Sequence, residues 1–286
     1  MTAAGIGSVA VVGAGFMGSG IAESAARAGA HVVLYEMDQG ALERSQQRIS
    51  TSVARAVEGG KMSREDGDAL IGRLEWTSEF DKLSGAQLAI EAIVEDERVK
   101  AEVFERLDGV LGPEAIIASN TSSIPIAQLA AATGRPDRVV GLHFFSPVPV
   151  MKLVEIVIAL DTSEETVARV ARFAEALGKT AVRTKDRSGF VVNFLLVPYL
   201  MAAVRMYEEG FASAEDIDAA MKLGAGHPMG PLTLADFIGL DVLYAVCDSL
   251  YEEFKRDEYA PPPLMKRMVA AGRLGRKSGR GFYEYG

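Results

Sequence analysis

An apolar run, Ser8 to Val12, leads straight into Gly13-Ala14-Gly15-Phe16-Met17-Gly18 and then into residues with helical spacing that end near Gly29. No other stretch narrows the fold so far. A strand turning sharply into a helix uses the first glycine for the turn, the second to let backbone approach a ligand, and the third for close helix–strand packing. Amides at the helix start then face an anion such as a pyrophosphate. A second apolar run, His31 to Tyr35, ends at Glu36, which stands 23 residues after Gly13. An acidic side chain about 20 residues on is placed to accept hydrogen bonds from an adenosine ribose. Gly13, Gly15, Phe16, Met17, Gly18 and Glu36 therefore read as a dinucleotide site. Glu36 opposes a ribose 2′-phosphate and no arginine follows it immediately, so NAD is expected over NADP. The bland alternative is a glycine turn without a ligand.

The segment Gly141 to Glu155, GLHFFSPVPVMKLVE, places His143 at the end of an apolar run and Glu155 in the strand that follows. The chain has only three histidines. Imidazole, with an unperturbed pKa of about 6.5, takes and returns a proton near neutrality. His143 and Glu155 thus read as a base and its orienting acid, against the alternative of a core histidine at a strand end. His31 and His227 lie outside any ligand-like cluster, and no metal is expected.

The pattern continues as strand and helix. Asp38 caps a helix to about Glu58, with Leu42, Ile49, Val53 and Ala56 on the face that meets the sheet. On the same helix Arg44, Arg48 and Arg55 form a narrow stripe almost opposite that face, either a solvated surface or a phosphate-recognition patch. Further strands are expected near Leu88 to Ala92, Ala115 to Ser119, Val139 to Leu142, Lys152 to Ile158 and Thr180 to Thr184, with helices over Val99 to Val110 and Ser163 to Leu177. Glu95 and Lys100 fall near a strand's carboxyl end, where such sheets bind ligands; an exposed ion pair is the plainer reading. Ser119 to Ser123, SNTSS, sits at another strand end.

From Ser188 the strand signals fade. Ser188 to Tyr207, Ala214 to Met221, Pro231 to Asp236 and Val242 to Phe254 read as helices between Gly and Pro punctuation. The expected architecture is α/β, a Rossmann-type domain over 1–187 followed by an all-helical domain over 188–286. Phe190 to Val204 is too short for a typical membrane span and contains Asn193 and Pro198. It reads as a buried helix, in which Asn193 is either a satisfied core amide or a donor aimed into a cleft.

A length of 286 residues accommodates two domains, and a net charge of −9 argues against nucleic-acid or membrane-surface affinity. Cys247 is the only cysteine, which excludes an intrachain disulfide. No basic stretch precedes an apolar core at the start, so a cytoplasmic location is expected.

Taken in order, the glycine loop, SNTSS, GLHFFSPVPVMKLVE, DRSGFVVN and KSGRGFYEY make the chain resemble the 3-hydroxyacyl-CoA dehydrogenases, over residues 13 to 285. The resemblance implies that NAD binds the first domain, that the helical domain forms a homodimer, and that an acyl-CoA thioester lies between the domains. It implies His143 as general acid/base, Glu155 as its partner, and Ser122 and Asn193 as polar substrate contacts. Glu95, Lys100 and Lys277 match cofactor-contact positions, and Arg55 or Arg48 the basic coenzyme A contact. The family usually reads HFFNP, so Ser146 stands where an asparagine is expected beside the nicotinamide. Three alternatives remain: the same chemistry on a carrier-protein thioester, a sugar-acid dehydrogenase, and a non-catalytic NAD-binding relative.

Overall fold

A computed structural model describes residues 5–286. The chain forms two compact units, the first ending at Asp186 and the second starting at Arg187. In the first, one sheet contains β1 (Ser8–Val12), β2 (His31–Tyr35), β3 (Leu74–Thr77), β4 (Leu88–Glu91), β5 (Ile116–Ser119), β6 (Val139–Phe144), β7 (Leu153–Ile158) and β8 (Thr180–Lys185). Their spatial order is β3-β2-β1-β4-β5-β6-β7-β8, parallel throughout except between β6 and β7. This is a Rossmann-type sheet. Its central strands are covered on both faces, which is why they read as unbroken apolar runs.

The covering helices are α1 (Phe16–Arg27), α2 (Gln39–Glu58), α3 (Arg64–Ile71), α4 (Glu97–Val110), α5 (Ile126–Ala130) and α6 (Glu164–Ala176). Asp38 caps α2 by accepting from the Ala41 amide at 2.6 Å. Leu42, Ile49 and Val53 are buried in the main core. Asp96 caps α4 through the Val99 amide, so that helix starts at Glu97, earlier than its apolar spacing indicates.

Helix α3 and strand β3 have no counterpart in the expected elements. Helix α3 is short, with Gly67 inside it, and β3 buries only Leu74 and Thr77. Neither gives a periodic signal long enough to read. Strand β6 runs two residues beyond the expected Leu142, to Phe144, and so includes His143.

The second unit is helical: α7 (Val192–Glu208), α8 (Ala214–Gly224), α9 (Pro231–Ile238), α10 (Leu240–Phe254) and α11 (Pro263–Ala270). Helix α7 starts at Val192 rather than Ser188, because Gly189 and Phe190 have φ of +79° and +46°. The expected buried helix is buried over only part of its length. Burial begins at Val197, whereas Asn193 is partly exposed and Leu195 is 66% exposed. The core joins Leu200, Met201, Leu232, Leu243, Cys247 and Met265. Among the described residues no helix is long and apolar enough to cross a membrane.

The tail after α11 is stapled to this core by Asp236, whose carboxylate accepts from the Phe282 and Tyr283 amides and the Tyr285 hydroxyl at 3.0 Å each. A Cβ on Gly281 would lie 1.9 Å from Asp236 Oδ1, and one on Gly275 would lie 2.3 Å from the Asp236 carbonyl oxygen. Gly275 and Gly281 are thus packing requirements.

Candidate active site

Strand ends assemble the polar residues of the first unit. Antiparallel pairing sets His143 of β6 opposite Glu155 of β7, and Glu155 Oε2 lies 2.7 Å from His143 Nδ1. A carboxylate only accepts, so Nδ1 carries the proton and Nε2 presents a lone pair. Ser122 Oγ stands 3.0 Å from that Nε2. Glu155 is fully buried and His143 nearly so. The Phe145 ring meets the imidazole edge-on at 4.6 Å between centroids. This arrangement can hold a proton at Nε2 and stabilise the imidazolium that results.

The loop carrying Ser122 is fixed from two sides. Asn120 Oδ1 accepts from the Phe144 amide at 2.9 Å, tying the loop to the end of β6. Glu95 accepts from the Thr121 hydroxyl, the Ser122 amide and the Ser123 hydroxyl at 2.5, 3.0 and 3.0 Å. Burial alone would raise the Glu95 carboxyl. The Lys100 charge, the Thr121 hydroxyl and the Ser122 amide outweigh burial and hold it below its ordinary value.

Lys100 is not half of an exposed ion pair. It is 1% exposed, with Nζ 2.5 Å from Glu91 Oε1 and 3.2 Å from Glu95 Oε2. Glu91, fully buried at the end of β4, also accepts from the Ser119 hydroxyl and the Ile93 amide. Sequence reasoning overlooked Glu91. The available signal was an acid inside the apolar run LAIEAI, which demands a buried partner. One polar network therefore runs Glu91, Lys100, Glu95, Ser122, His143, Glu155.

The glycine loop fits a dinucleotide. Gly13 has φ +105°, and a Cβ there would lie 2.6 Å from the Ala92 carbonyl oxygen. At Gly18 a Cβ would meet the Gly13 carbonyl oxygen at 1.9 Å, whereas at Gly15 it would meet nothing within 4 Å. Open space at the middle glycine, before the start of α1, is what a pyrophosphate needs. Phe16 is 55% exposed and Met17 partly buried in the first turn. Glu36 closes β2, with Oε2 accepting from the Ala14 amide at 3.2 Å and Oε1 from the Met37 amide at 2.8 Å. Ser146 is exposed in the loop after β6.

The arginine stripe of α2 keeps Arg44 and Arg55 exposed and Arg48 half-buried, and it lies along a groove. With Arg27 and Lys61, Arg44, Arg48 and Arg55 border a groove of about 850 Å³ between α1, α2 and the Pro147–Val150 loop. The helical spacing places the three arginines together but cannot show the groove they border. Glu23, 2% exposed, lies in the same groove and accepts from Ser52 Oγ and Arg27 at 3.0 and 3.1 Å. Burial pushes its carboxyl up, against the Ser52 hydroxyl and the Arg27 charge.

Asn193 and Lys277 belong to the second unit. Asn193 is in the first turn of α7, and Lys277 Nζ holds Asp241 Oδ2 at 2.7 Å. His227 Nδ1 stands 3.0 Å from the Tyr199 hydroxyl. Among the described residues no three His, Cys, Asp or Glu side chains gather as a metal site.

A Rossmann-type sheet with a dinucleotide loop and a histidine–carboxylate pair defines a nicotinamide-dependent oxidoreductase. Comparison with known proteins narrows this class. Residues 8–187 match the model of the 3-hydroxyacyl-CoA dehydrogenase NAD binding domain, and residues 189–285 that of the C-terminal domain. The chain belongs to the 3-hydroxyacyl-CoA dehydrogenase family, and its cofactor is NAD. It is 56% identical to a 3-hydroxybutyryl-CoA dehydrogenase of Mycobacterium tuberculosis over 97% of this chain and 98% of that protein. The crystal structure of M. tuberculosis FadB2 superposes with a TM-score of 0.97 at 55% identity, covering 98% of this chain and 99% of the other. That of (S)-3-hydroxybutyryl-CoA dehydrogenase from Ralstonia eutropha gives 0.93 at 44% identity, with coverage of 98% and 99%.

Proposed function

We propose that the protein interconverts a short-chain 3-hydroxyacyl-CoA, such as 3-hydroxybutyryl-CoA, and the corresponding 3-oxoacyl-CoA, acetoacetyl-CoA in that case. The observation that carries this reading is His143 held between Glu155 and Ser122. When bound, NAD supplies the hydride acceptor for C3. His143 Nε2 removes the proton of the C3 hydroxyl, and Glu155 stabilises the imidazolium. Ser122 Oγ, 3.0 Å from Nε2, is placed to share the same substrate oxygen. Asn193 is the further polar contact to substrate, while Glu95, Lys100, Ser146 and Lys277 serve the cofactor. Lys100 does so through Glu95, because its ammonium is buried.

The groove beside α2 takes the phosphate-bearing end of coenzyme A. Arg44 and Arg55 are exposed there and suit phosphate, a recognition that guanidinium favours. The NAD-binding domain spans 1–187 and the substrate and dimerisation domain 188–286. Phe211 and Leu223, 77% and 87% exposed, support a homodimer through the latter. The reading also places the protein in the cytoplasm, with no nucleic acid or membrane among its partners.

The test is a panel of 3-oxoacyl thioesters followed by NADH absorbance, varying acyl length and carrier. Acetoacetyl-CoA is expected to be turned over with a higher kcat/KM than the same acyl group on a carrier protein. Arg44→Ala with Arg55→Ala should raise KM for acetoacetyl-CoA and leave KM for acetoacetyl-pantetheine, which lacks those phosphates, unchanged. Faster turnover of the carrier-protein thioester would overturn the substrate assignment, and equal losses on both thioesters would overturn the groove assignment.

A further inference from the structure

We propose that Arg48 is a positioning residue for the dinucleotide loop, fixing its peptide planes so that two amides face the NAD pyrophosphate. Arg48 is the one member of the α2 stripe that is half-buried rather than exposed. Its Nη1 donates to Ser19 Oγ at 2.8 Å and approaches the Ala14 and Gly15 carbonyl oxygens at 3.4 Å each. Ser19, 1% exposed, donates to the Gly15 carbonyl oxygen at 2.7 Å and lies 2.9 Å from the buried Ser45 hydroxyl. A hydroxyl has one proton and two lone pairs, so these contacts account for it fully. The result is a polar clasp from α2, through α1, onto the back of the loop.

The clasp acts on carbonyls, and that determines where the amides point. In a trans peptide the C=O and N–H are antiparallel. Holding the Ala14 carbonyl turns the Gly15 N–H the other way, and holding the Gly15 carbonyl does the same for the Phe16 N–H. Neither amide has a backbone acceptor among the described residues. At Gly15 itself an added Cβ would meet nothing within 4 Å, so the loop leaves room there for a ligand. Glu36 Oε2 fixes the preceding amide, that of Ala14, so the loop is held in front and behind. The Phe16 ring, with its centroid 5.9 Å from the Arg48 Cζ, shields the clasp. Gly15 at the N-cap has no side chain to do this work, and α1 has no side-chain cap.

The test measures NADH affinity by fluorescence and, separately, binding of ADP-ribose and adenosine by competition. Arg48→Met keeps the apolar stem and removes the donors. It should raise the NADH Kd roughly tenfold, the order expected for one or two lost hydrogen bonds. ADP-ribose, which carries the pyrophosphate, should weaken as much as NADH, and adenosine should be unaffected. Arg48→Lys should recover part of the affinity, and Ser19→Ala should weaken NADH in the same direction. Should Arg48→Met not fold, these last two variants carry the test. An unchanged NADH Kd with a raised KM for acetoacetyl-CoA would overturn the proposal and return Arg48 to the coenzyme A groove. Equal weakening of adenosine and ADP-ribose would also overturn it, as a general structural effect.

Discussion

Glu155 lies directly across the β6–β7 ladder from His143, its Oε2 2.7 Å from Nδ1. The antiparallel step makes this possible, since β6 and β7 are the one antiparallel pair in a sheet that is otherwise parallel. A register slip of one residue would carry Glu155 to the other face of the sheet. His143→Gln is therefore expected to lower kcat by about 10²- to 10⁴-fold, the usual contribution of positioned acid–base catalysis. NADH affinity should stay within error, because the glycine loop is held by other contacts. Glu155→Gln should lower kcat less and alter the pH–rate profile. Stopped-flow turnover and NADH fluorescence check both, and near-normal turnover in folded His143→Gln would remove His143 from the mechanism.

Glu36 does two jobs at the end of β2. Its carboxylate accepts the Ala14 and Met37 amides, and in the proposed reading it also opposes a 2′-phosphate. Glu36→Ser with Met37→Arg should shift the ratio of kcat/KM values toward NADP while lowering affinity for both cofactors, because the Ala14 amide loses its acceptor. Steady-state kinetics with each cofactor decides it: an unchanged ratio would mean that the ribose does not lie against Glu36.

How far the site was legible depended on whether a residue's reason is local. Gly13 and Gly18 are forced by turn and packing within a few residues, so the sequence shows them, and His143 is noticeable because imidazole is rare here. Glu91 was overlooked because its partners, Lys100 and Ser119, come from separate elements. Arg48 was readable as part of a helical stripe, but its Ser19 partner comes from α1, across a packing no spacing encodes. The start of α7 failed for a different reason. Positive φ at Phe190 is unusual for a bulky residue, and nothing in GFVVN announces it.

Lys100 and Glu91 form a buried ion pair, and removing one partner leaves an uncompensated charge. Lys100→Met should destabilise the first unit by about 3–5 kcal/mol. Adding Glu91→Gln should restore part of the loss, since the second carboxylate no longer stays charged in the interior. Chemical denaturation of both variants checks this through Trp76, the single tryptophan, which sits on β3 of the same unit. No recovery in the double variant would mean that packing of the lysine stem, rather than charge, dominates.

The second unit should have its own alkaline limit. Burial, and then the bonds to Asp218 and Asp236, raise the Tyr283 and Tyr285 hydroxyls above their ordinary value of 10.0. Burial likewise pushes the Cys247 thiol from its ordinary 9.0 up to about 12. All three groups are raised in the folded state, so the stability they confer is complete below their unfolded values and disappears as pH climbs toward the folded ones. Unfolding free energy of this unit should be flat from neutrality to about pH 9 and then fall steeply, because ionisation both expels the thiol from the core and breaks the tail staple. Urea denaturation followed by circular dichroism at a series of pH values tests it. Cys247→Ala should delay the onset of the fall, at the cost of a small cavity. Tyr285→Phe should reduce its steepness and lower stability at neutral pH by about 1–3 kcal/mol, since Asp236 loses a buried donor. If stability stays flat through pH 12 in the parent protein, the staple does not hold the tail as described.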